Sequence, residues 1–547
     1  MSNTNQKLNE LETQDVVILG SGLAGSTLAI QLKNENPQIK ILVVEKCETP
    51  YPIATHKVGE STVEISARYF SKVLKCEDHL DTAQLRKFGL RFFFSDHSNE
   101  DITNRPEYGT REFLSTKTYQ LDRGIFENYL IDRARALGVR VESSVRVRDV
   151  ELAEDAPHKV FITHSEPEIE STVTSRWVVD ASGRGSPIKK RLKLAERSEH
   201  NINAVWFRTP CKVDLDDWSS NRSWDNDVRR KGERWLSTNH LLGEGYWVWL
   251  IPLSSGLTSI GVVADPRFHP MTEFNSEEKM LTWLAKYEPQ LAKEINKIPA
   301  PFSDFKALKN FAHKATQTFS ENRWALTGDS GIFLDPFYSP GSDMISISNT
   351  FITDLVKRDL NNELFAGRAL IYNQTYRDLT DNVVKLYHDQ YQTFRDPIVM
   401  SLKVAWDYSI YWGFLAFTCI QGRLCDLATL RELNQTFAKV YETNTFMQKM
   451  FSSASETNKD VAGGMFDISQ VPWIVEMNKK LVREYSREEF ANELRDNLSR
   501  IERFKEVILK LLPISKSFKS LPELESAVAN APILESQSSA LSEAMMS

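Results

Sequence analysis

The run Val16-Val17-Ile18-Leu19-Gly20-Ser21-Gly22-Leu23-Ala24-Gly25 decides the fold. Its apolar, β-branched start reads as a buried strand, the glycines as a turn, and the Ala/Leu-rich segment that follows as a helix. A second apolar run, Ile41 to Val44, ends at Glu45, 25 positions after Gly20. At that distance an acidic residue closes a βαβ dinucleotide unit and accepts a ribose hydroxyl. Gly20, Gly22 and Gly25 let the backbone approach a pyrophosphate, while the helix N-terminus offers N–H donors and a positive dipole. A glycine pattern alone is weak; the strand before it, the helix after it and the acid at this spacing make it a nucleotide site. No second such motif occurs in a strand–turn–helix setting, so reducing power is expected from a separate NAD(P)H-dependent reductase.

Further out, Val178-Val179-Asp180-Ala181-Ser182-Gly183 and Trp324 to Leu326, leading into Gly328-Asp329, read as strand ends that return to the same fold. Between these pieces, over about 85–120 and 200–310, apolar and polar residues alternate, as at Phe88, Leu90, Phe92 and Phe94. Period two predicts half-buried antiparallel strands, hence an inserted substrate sheet. Long helical patterns follow at 366–392 and 486–512, the latter opened by a capping box from Ser486 to Glu489. The expected organisation is a flexible start over 1–14, a Rossmann-like α/β unit with its inserted sheet over 15–365, a helical domain over 366–512, and a disordered tail over 513–547 rich in Ser, Ala and Glu.

The chain has 547 residues, 41% hydrophobic and 26% charged, with 67 basic against 74 acidic side chains and a net charge of -7. These proportions fit a globular protein with room for a large core. Without a basic block, nucleic acid is excluded as the main partner. Five scattered cysteines without a C-x-x-C pair exclude a disulfide framework and a structural zinc site, and no metal is expected. The N-terminus lacks a basic start and an apolar core, and the longest apolar stretch, Tyr408 to Ile420, is too short for a bilayer, so no transmembrane segment and a cytoplasmic location are expected.

Three further segments carry candidate chemistry. In Lys57-Val58-Gly59-Glu60-Ser61, a capping box from Ser61 to Glu64 would explain the serine, and a lone lysine is usually a solvated surface group. In Trp247-Val248-Trp249-Leu250-Ile251-Pro252, an aromatic strand with Trp247, Trp249 and Ile251 on one face is the simple reading. Phe333-Leu334-Asp335-Pro336-Phe337-Tyr338-Ser339-Pro340-Gly341 is a punctuated loop that would place backbone donors beside a ring system or small anion.

Together, the glycine fingerprint, Lys57-Val-Gly-Glu-Ser, Trp247-x-Trp249-x-Ile251-Pro252 and Phe333-x-x-Pro336-x-x-Ser339-x-Gly341 resemble, in order, the flavin-dependent halogenases within the FAD monooxygenases, over about residues 14 to 350. The resemblance implies FAD as cofactor, with Arg123 near the flavin and Asp329 at its ribityl or phosphate portion. It also implies that reduced FAD, oxygen and chloride or bromide yield hypohalous acid, which then travels to the substrate. Lys57 would polarise that acid or be halogenated itself, and Trp247 and Trp249 would wall off the flavin so that the substrate is not hydroxylated directly.

Two departures narrow the substrate. Members acting on free tryptophan carry an acid just before the motif serine, where this chain has Tyr338, and often threonine after it, where Pro340 has no N–H to give. An electron-rich phenol, resorcinol or pyrrole, free or carrier-bound, therefore fits better, with Gly341 and Ser342 as replacement halide donors beside Pro336 and Ser339. The alternatives are a flavin-dependent aromatic hydroxylase, and a FAD-retaining binding protein that docks a carrier or membrane surface through Tyr408 to Ile420, with Phe414 and Phe417 in the contact, although such a stretch is more often a buried helix or the lining of a substrate pocket.

Overall fold

The computed structural model describes residues 11–53, 57–165, 168–221, 224, 233–454 and 461–533. At its centre the strand Leu11–Leu19 lies between Ile41–Val44 and Glu168–Asp180, parallel to both, with Leu19 level with Val44 and Asp180. Arg140–Glu142 and Trp324–Leu326 extend the parallel set, and the hairpin strands Val145–Glu151 and His158–Ser165 complete the sheet. Val16 to Leu19 are fully buried on both faces, as a central parallel strand requires. The α/β, Rossmann-like fold class read from the glycine run is thus the one found.

Two fingerprint glycines are demanded by packing. A Cβ on Gly20, at φ 105°, would stand 2.6 Å from the Ala181 carbonyl oxygen, and one on Gly25 would stand 2.0 Å from the Gly20 oxygen. The helix Leu23–Glu35 can therefore approach the turn only as the sequence is written.

The second sheet has eight strands, in the order Lys306–Leu308, Asn203–Thr209, Thr258–Ala264, Tyr246–Pro252, Thr238–Gly243, Leu90–Phe94, Pro106–Gly109 and Gly464–Asp467. It departs from the antiparallel, half-buried expectation in two ways. Thr238–Gly243 runs parallel to Leu90–Phe94, and Gly464–Asp467, supplied by the C-terminal region, runs parallel to Pro106–Gly109. Its central strands are also buried on both faces. Trp247, Trp249 and Phe92 join the main core, whereas Val248, Leu250 and Phe93 pack with Met280, Trp283 and Leu291 from the helices Glu277–Tyr287 and Pro289–Ile295.

The C-terminal helices include Ala366–Lys385, Pro397–Ile410, Leu427–Ala454 and Arg487–Leu511. The last opens with the expected capping box, Ser486 Oγ accepting from Glu489 N at 3.2 Å and Glu489 from Ser486 N at 2.9 Å. These helices share one continuous apolar core with the first sheet, from Val16 through Trp247 and Trp412 to Ile508.

Three expectations need correction. Residues 11–14, placed in the flexible start, belong to the first strand and pair with Val173 and Ser175; residues 1–10 lie outside the described residues. In the segment expected as a disordered tail, Leu521–Ala529 forms a helix that buries Leu521, Leu524 and Val528, the i, i+3, i+7 stripe hidden in its Ser/Glu-rich composition; 534–547 lie outside the described residues. The Tyr408–Ile420 run crosses a π-helical turn, Tyr411–Leu415, and buries Trp412, Phe414 and Phe417, so it is the buried helix that such a stretch more often forms, and the docking alternative loses its aromatic face. Among the described residues no helix is long and apolar enough to cross a membrane.

Candidate active site

A cavity of about 970 Å³ lies between the two sheets. Gly20, Gly22, Glu45, Lys57, Arg123, Trp247, Trp249, Asp329, Pro336, Ser339, Gly341 and Ser342 all line it; Gly25 does not, being spent on helix packing. Residues scattered over more than 300 positions are thereby brought to one space.

At one end lies the glycine turn. A Cβ on Gly22 would meet only the Glu127 carboxylate, at 3.9 Å, so this glycine leaves room that Gly20 and Gly25 do not. Ser21 donates its backbone N–H to Glu45 Oε2 at 2.8 Å, and Cys47 N donates to Oε1 at 2.9 Å, fixing the acid at the end of its strand. The open cradle, the fixed acid and the helix N-terminus suit a dinucleotide, and FAD fits this donor set.

Lys57 stands at this nucleotide end. Its ammonium is paired with Glu127 and lies 3.7 Å from the centroid of the Tyr51 ring, whose hydroxyl bonds Ser21 Oγ at 2.7 Å. Arg123 Nε donates to Glu127 at 2.8 Å and its Nη1 to the Val58 carbonyl at 2.6 Å. Burial would raise the Glu127 carboxyl, but Arg123 and Lys57 outweigh it and hold the acid ionised below its usual range. Asp329 shows the opposite balance, burial raising it against the pull of Arg123 and His313.

The other end is walled by indoles. Trp247 and Trp249 lie 5.6 Å apart between ring centroids; Trp249 Nε1 donates to Ser259 Oγ at 3.1 Å and Trp247 Nε1 to Tyr391 Oη at 3.0 Å. Trp249 fits because Gly261 faces it across the sheet, where a Cβ would come within 2.2 Å of the ring. His240 completes the wall against Trp247 and Phe337, and burial lowers its pKa to about 3, so it is neutral.

The loop Pro336–Ser339 leads into the helix Gly341–Leu360. The Ser339 N–H is committed to the Pro336 carbonyl at 2.8 Å, closing the turn at φ 60°. The first N–H groups of the helix have no intrahelical acceptor, and the buried Ser342 Oγ has no hydrogen-bond partner among the described residues. Tyr338 points elsewhere, its hydroxyl donating to Asp407 at 2.8 Å.

One residue was missed by the sequence reading. Lys87, 3% exposed, donates to Ser61 Oγ at 2.8 Å and to the Thr62 carbonyl at 2.9 Å. Burial lowers its pKa to about 7, against the pull of Glu64 and Asp343. The signal was available: a lysine beside Phe88, Leu90 and Phe92 in an otherwise apolar strand region. Ser61, expected as a helix cap, instead spans Lys87 and Thr238, bonding Thr238 Oγ1 at 2.8 Å; the helix begins at Glu64 behind Val63. Glu60 pairs with Arg208 and anchors the turn.

Comparison with known proteins agrees with this geometry. Residues 13–331 match the family described as FAD binding domain. The flavin-dependent halogenase chlA of Dictyostelium discoideum is 28% identical over 439 residues, 74% of this chain and 71% of that protein. A 1H-pyrrole-2-carbonyl-[peptidyl-carrier protein] chlorinase of Pseudomonas fluorescens is 26% identical over 66% of this chain and 80% of its own length. The fold of the halogenase PltM, solved with phloroglucinol and FAD, superimposes with a TM-score of 0.63 at 16% identity, over 94% of each chain. The chain belongs to the FAD binding domain family and, within it, to the flavin-dependent halogenases.

Proposed function

We propose that this halogenase acts on an electron-rich ring of the phenol, resorcinol or pyrrole type, and that Lys57 carries the activated halogen to it. The observation behind this is the position of Lys57, which lines the large cavity together with Trp247, Trp249 and the Pro336–Ser339 loop. Its ammonium is held by Glu127 and lies against the Tyr51 ring. Lys87, also buried, lines a separate small space and not this cavity.

Reduced FAD, when bound, supplies with oxygen the oxidising power that turns halide into hypohalous acid. The chain's own residues do the rest. Gly20, Gly22, Glu45, Arg123 and Asp329 hold the cofactor, while Gly25 lets the helix pack against the turn. Gly341 and Ser342 offer the halide a helix N-terminus and an unpartnered hydroxyl, in the loop that contains Pro336 and Ser339. Trp247 and Trp249 keep the substrate from the flavin, and the Lys57 ammonium holds hypohalous acid by hydrogen bonding or accepts its halogen as the free amine. A separate NAD(P)H-dependent reductase supplies electrons. A carrier-tethered substrate is the second form of this reading, supported by the pyrrole-carrier relative.

The test is mass spectrometry of products from purified protein, FAD, a flavin reductase and NADH with phenols, resorcinols and pyrroles, in chloride or bromide. A halogen isotope pattern that needs oxygen, halide and Lys57 supports the reading. Halide-independent oxygen incorporation overturns it.

A further inference from the structure

The nucleotide end of the large cavity opens through a rim of three cations. Lys46, Arg146 and Arg184 line the cavity and are exposed, and among the described residues none of them forms an ion pair or a side-chain hydrogen bond. Three separate pieces of backbone bring them together. Lys46 follows Glu45, whose carbonyl accepts from Val145 N at 2.9 Å, so Arg146 stands beside it on the strand Val145–Glu151. Arg184 comes from the opposite side, on the turn Gly183–Gly185 that follows Asp180. Ala181 N donates to the Leu19 carbonyl at 3.0 Å, which sets that turn against Gly20. The cations therefore flank the glycine turn on both sides.

The acids of the same region do not cancel this charge. Asp149 is paired with Arg191 at 2.8 Å and Glu142 with Arg140 at 2.7 Å. Deeper in, Glu127 is shared by Lys57 and Arg123, and Glu60 is paired with Arg208. Among the acids that line the cavity, this leaves Glu45, which accepts from two backbone N–H groups, and Asp329; Glu48 is exposed but does not line it. The chain as a whole carries a charge of -7. A dinucleotide with its phosphate charges is repelled by most of such a surface, and the rim reverses the sign at the place of entry. Solvated surface charge is the simple account of any one of these residues. Here the three lie 100 and 38 positions apart in sequence and converge on the one turn shaped for a pyrophosphate.

We propose that Lys46, Arg146 and Arg184 form an electrostatic entrance that captures reduced FAD by its diphosphate; this rests on the halogenase reading above, in which the flavin is reduced elsewhere and arrives through solution. Free reduced flavin is consumed by oxygen on the way, so the rate of capture matters as well as the affinity. Exposed cations at a rim act mainly on that rate and on its salt dependence, because water screens them once the ligand is seated. The buried Glu45 and the glycine turn then set how long the cofactor stays.

The experiment is stopped-flow association of chemically reduced FAD with the full FAD-free chain under nitrogen, read by quenching of tryptophan emission. Salt is varied between about 0.01 and 1 M, over which the screening length falls from roughly 30 to 3 Å. The triple variant Lys46→Gln, Arg146→Gln, Arg184→Gln is expected to associate roughly tenfold or more slowly at low salt, the lower end of electrostatic steering. Its dissociation should change much less, and the gap should close at high salt. The charge-keeping variant Lys46→Arg, Arg146→Lys, Arg184→Lys should keep the wild-type rate; thermal melts establish that both are folded. Equal association at low salt, a gap that persists at high salt, or a loss carried by dissociation overturns the proposal. So does a difference that appears only when the reductase is added, which would make the rim a docking surface for that protein. A chain that binds no flavin, reduced or oxidised, counts instead against the halogenase reading.

Discussion

The Lys87 ammonium donates to Ser61 Oγ at 2.8 Å, so a buried cation hangs from the wall of the large cavity by a hydroxyl that also binds Thr238. Lys57, four residues before Ser61, turns the other way, to Glu127 and Tyr51. Of these two lysines near one turn, Lys57 lines the large cavity and Lys87 does not.

Replacing each in turn separates them. Lys57→Met should retain FAD yet lose at least about 10²-fold in halogenation, the scale of a missing relay group. Lys87→Met should instead leave Ser61 Oγ and the Thr62 carbonyl without their donor, at a cost of about 1–3 kcal/mol in stability. Product formation and a thermal melt read the two effects. If Lys57→Met keeps wild-type halogenation, the relay does not belong to Lys57.

The indole wall depends on Gly261. A methyl group there would stand 2.2 Å from the Trp249 ring, so Gly261→Ala must push the indole out of line. Overpacking of this kind costs about 1–3 kcal/mol. The melting temperature should fall, and hydrogen peroxide released per product formed should rise as the barrier beside the flavin opens. Wild-type coupling in the folded variant would argue against a shielding role for Trp249.

His240 gives a pH signature. An unfolded histidine titrates near 6.5, whereas burial pushes His240 down to about 3. Below pH 6.5 the unfolded chain binds a proton that the folded chain refuses, so the stability owed to the neutral ring is full above 6.5 and shrinks as the pH falls. Glu64 and Asp343, raised by burial, titrate in the opposite sense, so the readout is the difference from a His240→Gln variant. That difference should shrink between pH 6.5 and 5 by up to about 1.4 kcal/mol per unit. A gap independent of pH would mean that His240 is not held neutral.

How much of this was legible in the sequence follows from locality. The glycine run, Glu45 and the tryptophan strand are written in neighbouring residues whose period and spacing carry the structure, and all were read in place. Lys87 was not, because its apolar neighbours hint at burial while the groups that surround its ammonium are remote: Ser61 lies 26 positions before it and Asp343 lies 256 after. The doubly buried second sheet was misread for a related reason. Its outer face is covered by helices that follow it in the chain, which alternation along one strand does not reveal. The Leu521–Ala529 helix was lost when composition was weighed above its three-residue and seven-residue apolar spacing.

The wall is also held from behind. Trp247 Nε1 donates to Tyr391 Oη at 3.0 Å, Tyr391 donates to Asp335 Oδ2 at 2.6 Å, and His200 Nε2 bonds the same oxygen at 2.7 Å. Asp335 precedes Pro336, so this chain of bonds ties the indole to the loop proposed for the halide. Tyr391→Phe removes the middle link and leaves the buried indole N–H without an acceptor and Asp335 without one donor. An unsatisfied buried group costs about 1–3 kcal/mol, so the melting temperature should drop. If the network also sets the wall, tryptophan emission should shift and the ratio of halogenated product to peroxide should fall, with FAD affinity unchanged because no cofactor ligand has been touched. A drop in stability with wild-type coupling would make Tyr391 a packing residue and confine positioning of Trp247 to its strand.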